Sequence, residues 1–178
     1  MSHTLMLFAA IAQTTMAGAA APETVVDAFT HLEGDWQGQL EYRDYQSDKL
    51  QAIPMRVEFD SIEDDTTFLQ RSTFTDPGFP VFITTLINVD GTTVNVASSR
   101  AGRPFESYDQ IARLTAGASA NSWTMTTTRV GKDGDRLAVI REVMTRDGDD
   151  LTITKEIDYL DDDSSEWMFR NRVTLSAK

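Results

Sequence analysis

Two basic residues, Arg141 and Lys155, are predicted to lie side by side on the apolar face of a sheet, on strands that follow one another in the chain. Like charges directly opposite each other destabilise a strand pair, and a buried charge without a partner is costly. Some compensating group is therefore expected near them. Matching the apolar faces of the last four strands gives one rung, which consists of Met125, Arg141, Lys155 and Asn171.

The chemistry that such a pair of cations suits is the binding of an anion. Arg141 would offer a planar fork of N–H donors and Lys155 a compact point charge, which together suit a carboxylate or a phosphate. Two other arrangements would also satisfy the charges. One is an internal acid such as Asp44, and the other is a rung at the wide mouth of a barrel, where both side chains reach water. The sequence leaves all three open.

The register of the last strands carries this prediction. They form a simple meander of residues 122–130, 136–145, 151–160 and 166–175. The matched faces pair Val143 with Ile153, Val139 with Ile157, Ile157 with Phe169, Tyr159 with Trp167, and Ile153 with Val173. Because side chains alternate along a strand, a slip of one residue would move the whole set to the other face.

Other predicted inner faces mix polar with apolar side chains. A filled small barrel is mostly aliphatic inside, so this mixture is more typical of a cavity with a few orienting contacts. The alternative is that the inward face is misassigned on several strands. The predicted ligand-binding residues are Arg141, Lys155, Asn171, Met125, Tyr108, Gln110, Gln70 and Arg100.

Charge and composition exclude several classes of function. The chain has 28 acidic and 16 basic residues, a net charge of -12, so nucleic acid is not an expected partner. It has no cysteine, and its only histidine after residue 21 is His31, which leaves no Cys–His pair and no histidine-rich metal site. The acidic clusters at 133–135, 147–150 and 161–163 are typical of hairpin turns rather than calcium loops. We predict no metal, no cofactor and no catalytic residue.

One short helix and about ten strands are predicted after residue 21. Val25, Phe29 and Leu32 recur at helical spacing, whereas residues 53–60 alternate strictly between apolar and polar. Asp90-Gly91 is a favoured two-residue hairpin turn. These patterns predict an all-β fold, an antiparallel up-and-down barrel of about eight to ten strands with a short N-terminal helix.

The spacing Gly-x-Trp-x-Gly at Gly34, Trp36 and Gly38, after a short helix and at the head of the first strand, resembles the start of the calycin superfamily. That superfamily contains lipocalins, fatty-acid-binding proteins and nitrobindin-like barrels. The resemblance implies that this segment closes the barrel floor and that a basic residue of the last strand, Arg170 or Arg172, lies across the tryptophan. Haem-binding barrels of this kind need a late axial histidine, which the chain lacks.

The first 21 residues are predicted to be a signal peptide. They contain no Asp, Glu, Lys or Arg, and their apolar run at 5–12 is too short to span a bilayer. Small residues at 17–21 favour cleavage after Ala19 or Ala21; the alternative is a buried N-terminal helix. Residues 22–178 would then form a single lipocalin-like domain. With no cysteine, a bacterial periplasmic or secreted protein is expected.

Three functions are compatible with these patterns. The first is an exported barrel that binds a small apolar or amphipathic ligand, with an anionic ligand as one option. The second is a barrel-type enzyme, a cyclase or isomerase, in which Tyr108, Arg141 or Lys155 polarises a substrate; the third is a non-catalytic envelope protein with a solid core. An interior smaller than about 300 Å³ would count against the first two. Neither the ligand nor the oligomeric state is predicted.

Overall fold

In a computed structural model, the described part of the chain forms a closed antiparallel barrel of ten strands preceded by one short helix, which confirms the predicted fold class. The structure describes residues 19–44, 47, 49–75 and 78–178. Each strand pairs with the next in chain order, and β1 closes the barrel against β10. The elements are α1 Val25–Thr30, β1 Gly34–Arg43, β2 Leu50–Ser61, β3 Thr67–Phe74, β4 Val81–Asp90, β5 Thr93–Arg100, β6 Glu106–Ser119, β7 Ser122–Asp133, β8 Arg136–Asp147, β9 Asp150–Tyr159 and β10 Met168–Ala177.

Helix α1 closes one end of the barrel. Thr24 and Asp27 form a capping box that satisfies the first backbone N–H groups of the helix. The buried face of the helix packs onto the inward side chains at the end where β1 begins, and the Phe29 ring stacks on Phe68 with centroids 5.4 Å apart. No helix in the described part of the chain is long and apolar enough to cross a membrane.

The Gly-x-Trp-x-Gly segment lies at the closed end, next to the helix. Trp36 is only 1% exposed, and its indole nitrogen donates a hydrogen bond of 2.8 Å to the Leu32 carbonyl, which ties β1 to the end of the helix. Gly38 lies directly against β10. A Cβ there would stand 2.8 Å from the carbonyl carbon of Thr174 and closer still to its oxygen. Only glycine therefore allows β1 and β10 to approach this closely.

The predicted register of β8 is wrong by one residue. Ile140 and Met144, rather than Val139 and Val143, face Ile157 and Ile153. The β8–β9 hairpin pairs Asp147 with Asp150 and so has a two-residue turn, whereas the predicted pairing of Val143 with Ile153 requires a turn of three residues, 147–149. Because β8 carries apolar side chains on both faces, hydrophobicity alone does not reveal the error.

The predicted register of β9 against β10 is correct in one half and wrong in the other. Ile153 does lie opposite Val173. A bulge between Phe169 and Asn171 then shifts the ladder, so that Ile157 faces Met168 instead of Phe169. Trp167 precedes the first residue of β10, and its predicted pairing with Tyr159 does not form.

Replacing Gly38 tests whether barrel closure depends on this contact. Gly38→Ala should lower the free energy of unfolding by about 1–3 kcal/mol, since overpacking forces the two strands apart. The matched control is Gln39→Ala, an exposed position on the same strand, which should change stability by no more than about 0.5 kcal/mol. Urea unfolding followed by circular dichroism measures both, and equal stabilities of the two variants would contradict the proposed close approach.

Candidate ligand site inside the barrel

The barrel interior contains a cavity of about 230 Å³ next to the helix, where Phe29 forms part of its wall. We call this cavity the lower compartment. Its polar lining consists of Gln70, Thr85, Tyr108, Gln110, Glu142, Lys155 and Asn171. Its apolar lining consists of Ile87, Val94, Val96, Met144, Ile153 and Val173. The volume lies below the lower range of about 300 Å³ for ligand pockets, so this compartment by itself suits only a very small molecule.

A second space of about 400 Å³, the upper compartment, lies toward the opposite end of the barrel, the mouth. It is lined by Leu40, Ile53, Phe74, Phe79, Val81, Ile83 and Arg100. Leu40 pairs with Val173, which lines the lower compartment, and Ile83 precedes Thr85 on the same face of β4. The two compartments are therefore neighbouring parts of one interior. Phe79, which is 83% exposed, stands at its outer edge.

Glu142 and Lys155 face each other across β8 and β9 in the lower compartment. Asn171, on β10, lies opposite Lys155 on its other side. Within the part of the chain that the structure describes, neither charged group makes an ion pair or a side-chain hydrogen bond. Both groups therefore present free hydrogen-bonding capacity to the cavity.

The Tyr108 hydroxyl remains protonated at neutral pH. Burial and the negative charge of Glu142 raise the pKa of this phenol to about 12. The Arg129 guanidinium partly opposes this rise in pKa and stacks over the Tyr108 ring, 3.9 Å from its centroid. Tyr108 is thus available to a ligand as a hydrogen-bond donor.

Two interior charges, Glu142 and Arg129, were missed by the sequence interpretation. Because side chains alternate along a strand, the predicted inward position of Arg141 implied that Glu142 faces outward. Arg129 follows Met125 by four residues and therefore lies on the same face of β7. This spacing was the signal in the sequence that Arg129 faces inward. Gly131 leaves room for the Arg129 guanidinium, which a Cβ at that position would strike.

The structure brings most of the predicted ligand residues together. The lower compartment contains Gln70, Tyr108, Gln110, Lys155 and Asn171. Arg100 lines the upper compartment instead. Met125 is inward but only 1% exposed, and it pairs with Met144, not with Arg141.

Arg141 points away from the cavity, so the predicted rung of two cations does not form. Residues alternate along β8, and Arg141 lies on the face opposite to that of Glu142. Its guanidinium donates hydrogen bonds of 2.6 and 3.0 Å to the Glu156 carboxylate and stacks 3.8 Å from the centre of the Trp167 ring. The residue opposite Lys155 inside the barrel is therefore an acid, Glu142, although the two side chains form no ion pair and the acid is not the predicted Asp44.

The arginine that lies over Trp36 is Arg146, 5.1 Å from the ring centroid, and not Arg170 or Arg172. Trp36 pairs with Ala177, whereas Arg172 pairs with Glu41, farther along the strand toward the mouth. Arg170 contacts Asp133 and Tyr159 there. Arg146 is 7% exposed, and its Nε donates to the carbonyl of Gly148 in the adjoining turn.

His31 follows the helix at the same closed end. Its Nδ1 is buried and has no hydrogen-bond partner among the described residues. Burial, and secondly the positive charge of Arg146, lower the pKa of the imidazole below 6.5, whereas Asp27 raises it in part. His31 lies on the helix end of the barrel and not in the lining of either compartment.

Comparison with known proteins shows the fold alone. No protein-family model matches the chain, and neither does any curated protein. The crystal structure of Rv2717c from M. tuberculosis is similar with a TM-score of 0.62 and 13% sequence identity, over 86% of this chain and 96% of that one. A protein of unknown function from the DUF3598 family of Nostoc punctiforme matches at 9% identity over 88% of this chain and 100% of that one, but its TM-score of 0.27 supports no argument.

The stability of the closed end should depend on pH through His31. The unfolded chain takes up a proton near pH 6.5, whereas the folded protein resists protonation, so the free energy of unfolding should fall as the pH drops below about 6.5. In His31→Gln this fall should be smaller. Urea unfolding of both proteins at about pH 7.5 and about pH 5.5 measures the difference. An equal loss of stability in the two proteins would contradict the assignment.

Proposed function

We propose that this protein binds a small amphipathic molecule inside its barrel. The observation that carries the proposal is the division of the interior into a lower compartment of mixed lining, which contains Glu142 and Lys155, and a mainly apolar upper one. Interior space of this kind argues against the envelope protein with a solid core. The resemblance to the calycin superfamily supports the same function, since those barrels hold ligands inside.

The polarity of the two compartments indicates how such a ligand would lie. Its polar head would occupy the lower compartment, near the Tyr108 hydroxyl and near Lys155 and Asn171, because partly buried polar groups without partners, such as Lys155, are unfavourable until a ligand satisfies them. Its apolar part would extend toward the mouth among Leu40 and Ile83. Both spaces are needed, since the lower one is only about 230 Å³.

A barrel-type enzyme would use the same interior. Its Tyr108 hydroxyl, protonated and close to Glu142, would polarise a bound substrate. Binding is the step that both functions share, and it is the step for which the cavity provides support. Arg141 has no part in either proposal, because it faces outward.

We also propose that the protein is exported to the bacterial periplasm or secreted, and that residues 22–178 are its mature domain. The support comes from the sequence: an uncharged apolar segment before residue 22, small residues at 17–21, and no cysteine. The predicted segment lies largely outside the described residues, of which the first is Ala19.

Filling the lower compartment tests the binding proposal. Thr85→Phe places a ring in the cavity and should weaken binding of the neutral apolar probe N-phenyl-1-naphthylamine at least about tenfold, which is a loss of about 1.4 kcal/mol. The matched control is Thr84→Phe, one residue away on the exposed face of β4, which should bind like the wild type. Probe fluorescence gives both affinities. The proposal fails if the wild type does not bind the probe or if the two variants bind it equally.

Export is tested by expressing the full chain in a bacterium with a tag at its C-terminus. The protein should appear in the periplasmic or culture fraction, with a mass that corresponds to cleavage after Ala19 or Ala21. Leu7→Arg, which puts a charge into the apolar run, should leave the protein uncleaved in the cytoplasm. An uncleaved wild-type protein in the cytoplasm would contradict the export proposal and leave the binding proposal standing.

A further inference from the structure

We infer that the polar head of the ligand carries no net charge and that it both donates and accepts hydrogen bonds, as a primary amide does. This inference rests on the proposed binding function and specifies its chemistry. It replaces the expectation of an anionic head, which required two cations side by side. The lower compartment has one cation and one anion instead, Lys155 and Glu142.

The charges in the wall balance one another. Glu142 and Lys155 are direct cross-strand partners, a geometry that places their Cβ atoms about 5 Å apart. Two more charged groups of opposite sign act on the Tyr108 hydroxyl, namely Arg129 on the neighbouring strand β7 and Glu106 on the same strand, β6. The charged groups of the lower compartment and those that act on Tyr108 are therefore two of each sign, whereas the interior cation Arg100 lies in the upper compartment.

The hydrogen-bonding capacity of the same groups remains available. Lys155 has three N–H donors and Glu142 has only acceptors. Among the described residues, neither group has a side-chain hydrogen bond or an ion pair. Asn171, opposite Lys155, adds both a donor and an acceptor.

A ligand head that has only acceptors or only donors can bond to only one of the two charged groups, Lys155 or Glu142. A carboxylate would bond to Lys155 but be repelled by Glu142, and an ammonium would bond to Glu142 but be repelled by Lys155. A primary amide directs its carbonyl oxygen to Lys155 and its N–H groups to Glu142, with no charge to desolvate. The protonated Tyr108 hydroxyl supplies a further donor for the carbonyl oxygen.

Three probes that share one apolar chain test this inference: octanamide, octanoate and octylamine. Calorimetry on the purified protein should show octanamide bound at least about tenfold more tightly than the two ions, a difference of about 1.4 kcal/mol. Glu142→Gln should change the ratio of the octanoate affinity to the octanamide affinity about tenfold in favour of octanoate. Lys155→Gln should change the ratio of the octylamine affinity to the octanamide affinity by a similar factor in favour of octylamine. The matched control is Glu156→Gln, one residue from Lys155 on the outer face, which should keep the wild-type order.

Each outcome separates this inference from the function on which it rests. Tightest binding of octanoate or octylamine by the wild type, or equal binding of all three probes, overturns the inference while the binding function stands. If none of the three probes binds, and N-phenyl-1-naphthylamine does not bind either, both fail. Circular dichroism checks that each variant is folded, and if the two cavity variants do not fold, the wild-type order alone decides.

Discussion

The structure depends on the close approach of the first and last strands at Gly38. A side chain at this position would collide with the backbone of Thr174, so barrel closure requires the absence of a Cβ. Closure pairs the edges of β1 and β10 that would otherwise expose unsatisfied backbone groups. It also separates an interior from solvent. Without this contact there is no enclosed wall on which Lys155, Glu142 and Asn171 can face one space.

The interior is not arranged for maximum stability. Aliphatic side chains in place of both Lys155 and Glu142 would remove two partly desolvated charges, and replacing opposite buried charges together with apolar groups is often neutral or stabilising. Here the two opposite charges lie in register without forming an ion pair, next to an amide and a protonated phenol. Charged groups without partners would destabilise a solid core, because their burial costs free energy. In a cavity they can bond to a bound molecule, which is the role that we propose for them.

The prediction from the sequence failed where the length of a single turn sets the register of a strand. The strands and their order follow from alternation and from Gly-containing turns, which are local signals. The face of β8 follows from whether its turn with β9 has two residues or three, and its apolar side chains lie on both faces. That one-residue error placed Arg141 in the predicted site, where the structure has Glu142. The bulge between Phe169 and Asn171 likewise shifts the pairing of β10 with β9, so that Met168 and not Phe169 faces Ile157.

The sequence by itself determined the fold class, the capping helix, the position of Trp36 near the closed end, and five residues of the lower compartment. Each of these depends on residues close together in the chain or on a regular period. Tertiary structure alone decided that Lys155 meets an acid and that Arg146 covers the tryptophan. The physical reason is that cross-strand partners are set by turn length and bulges, and the sign of the charge in the cavity depends on that register.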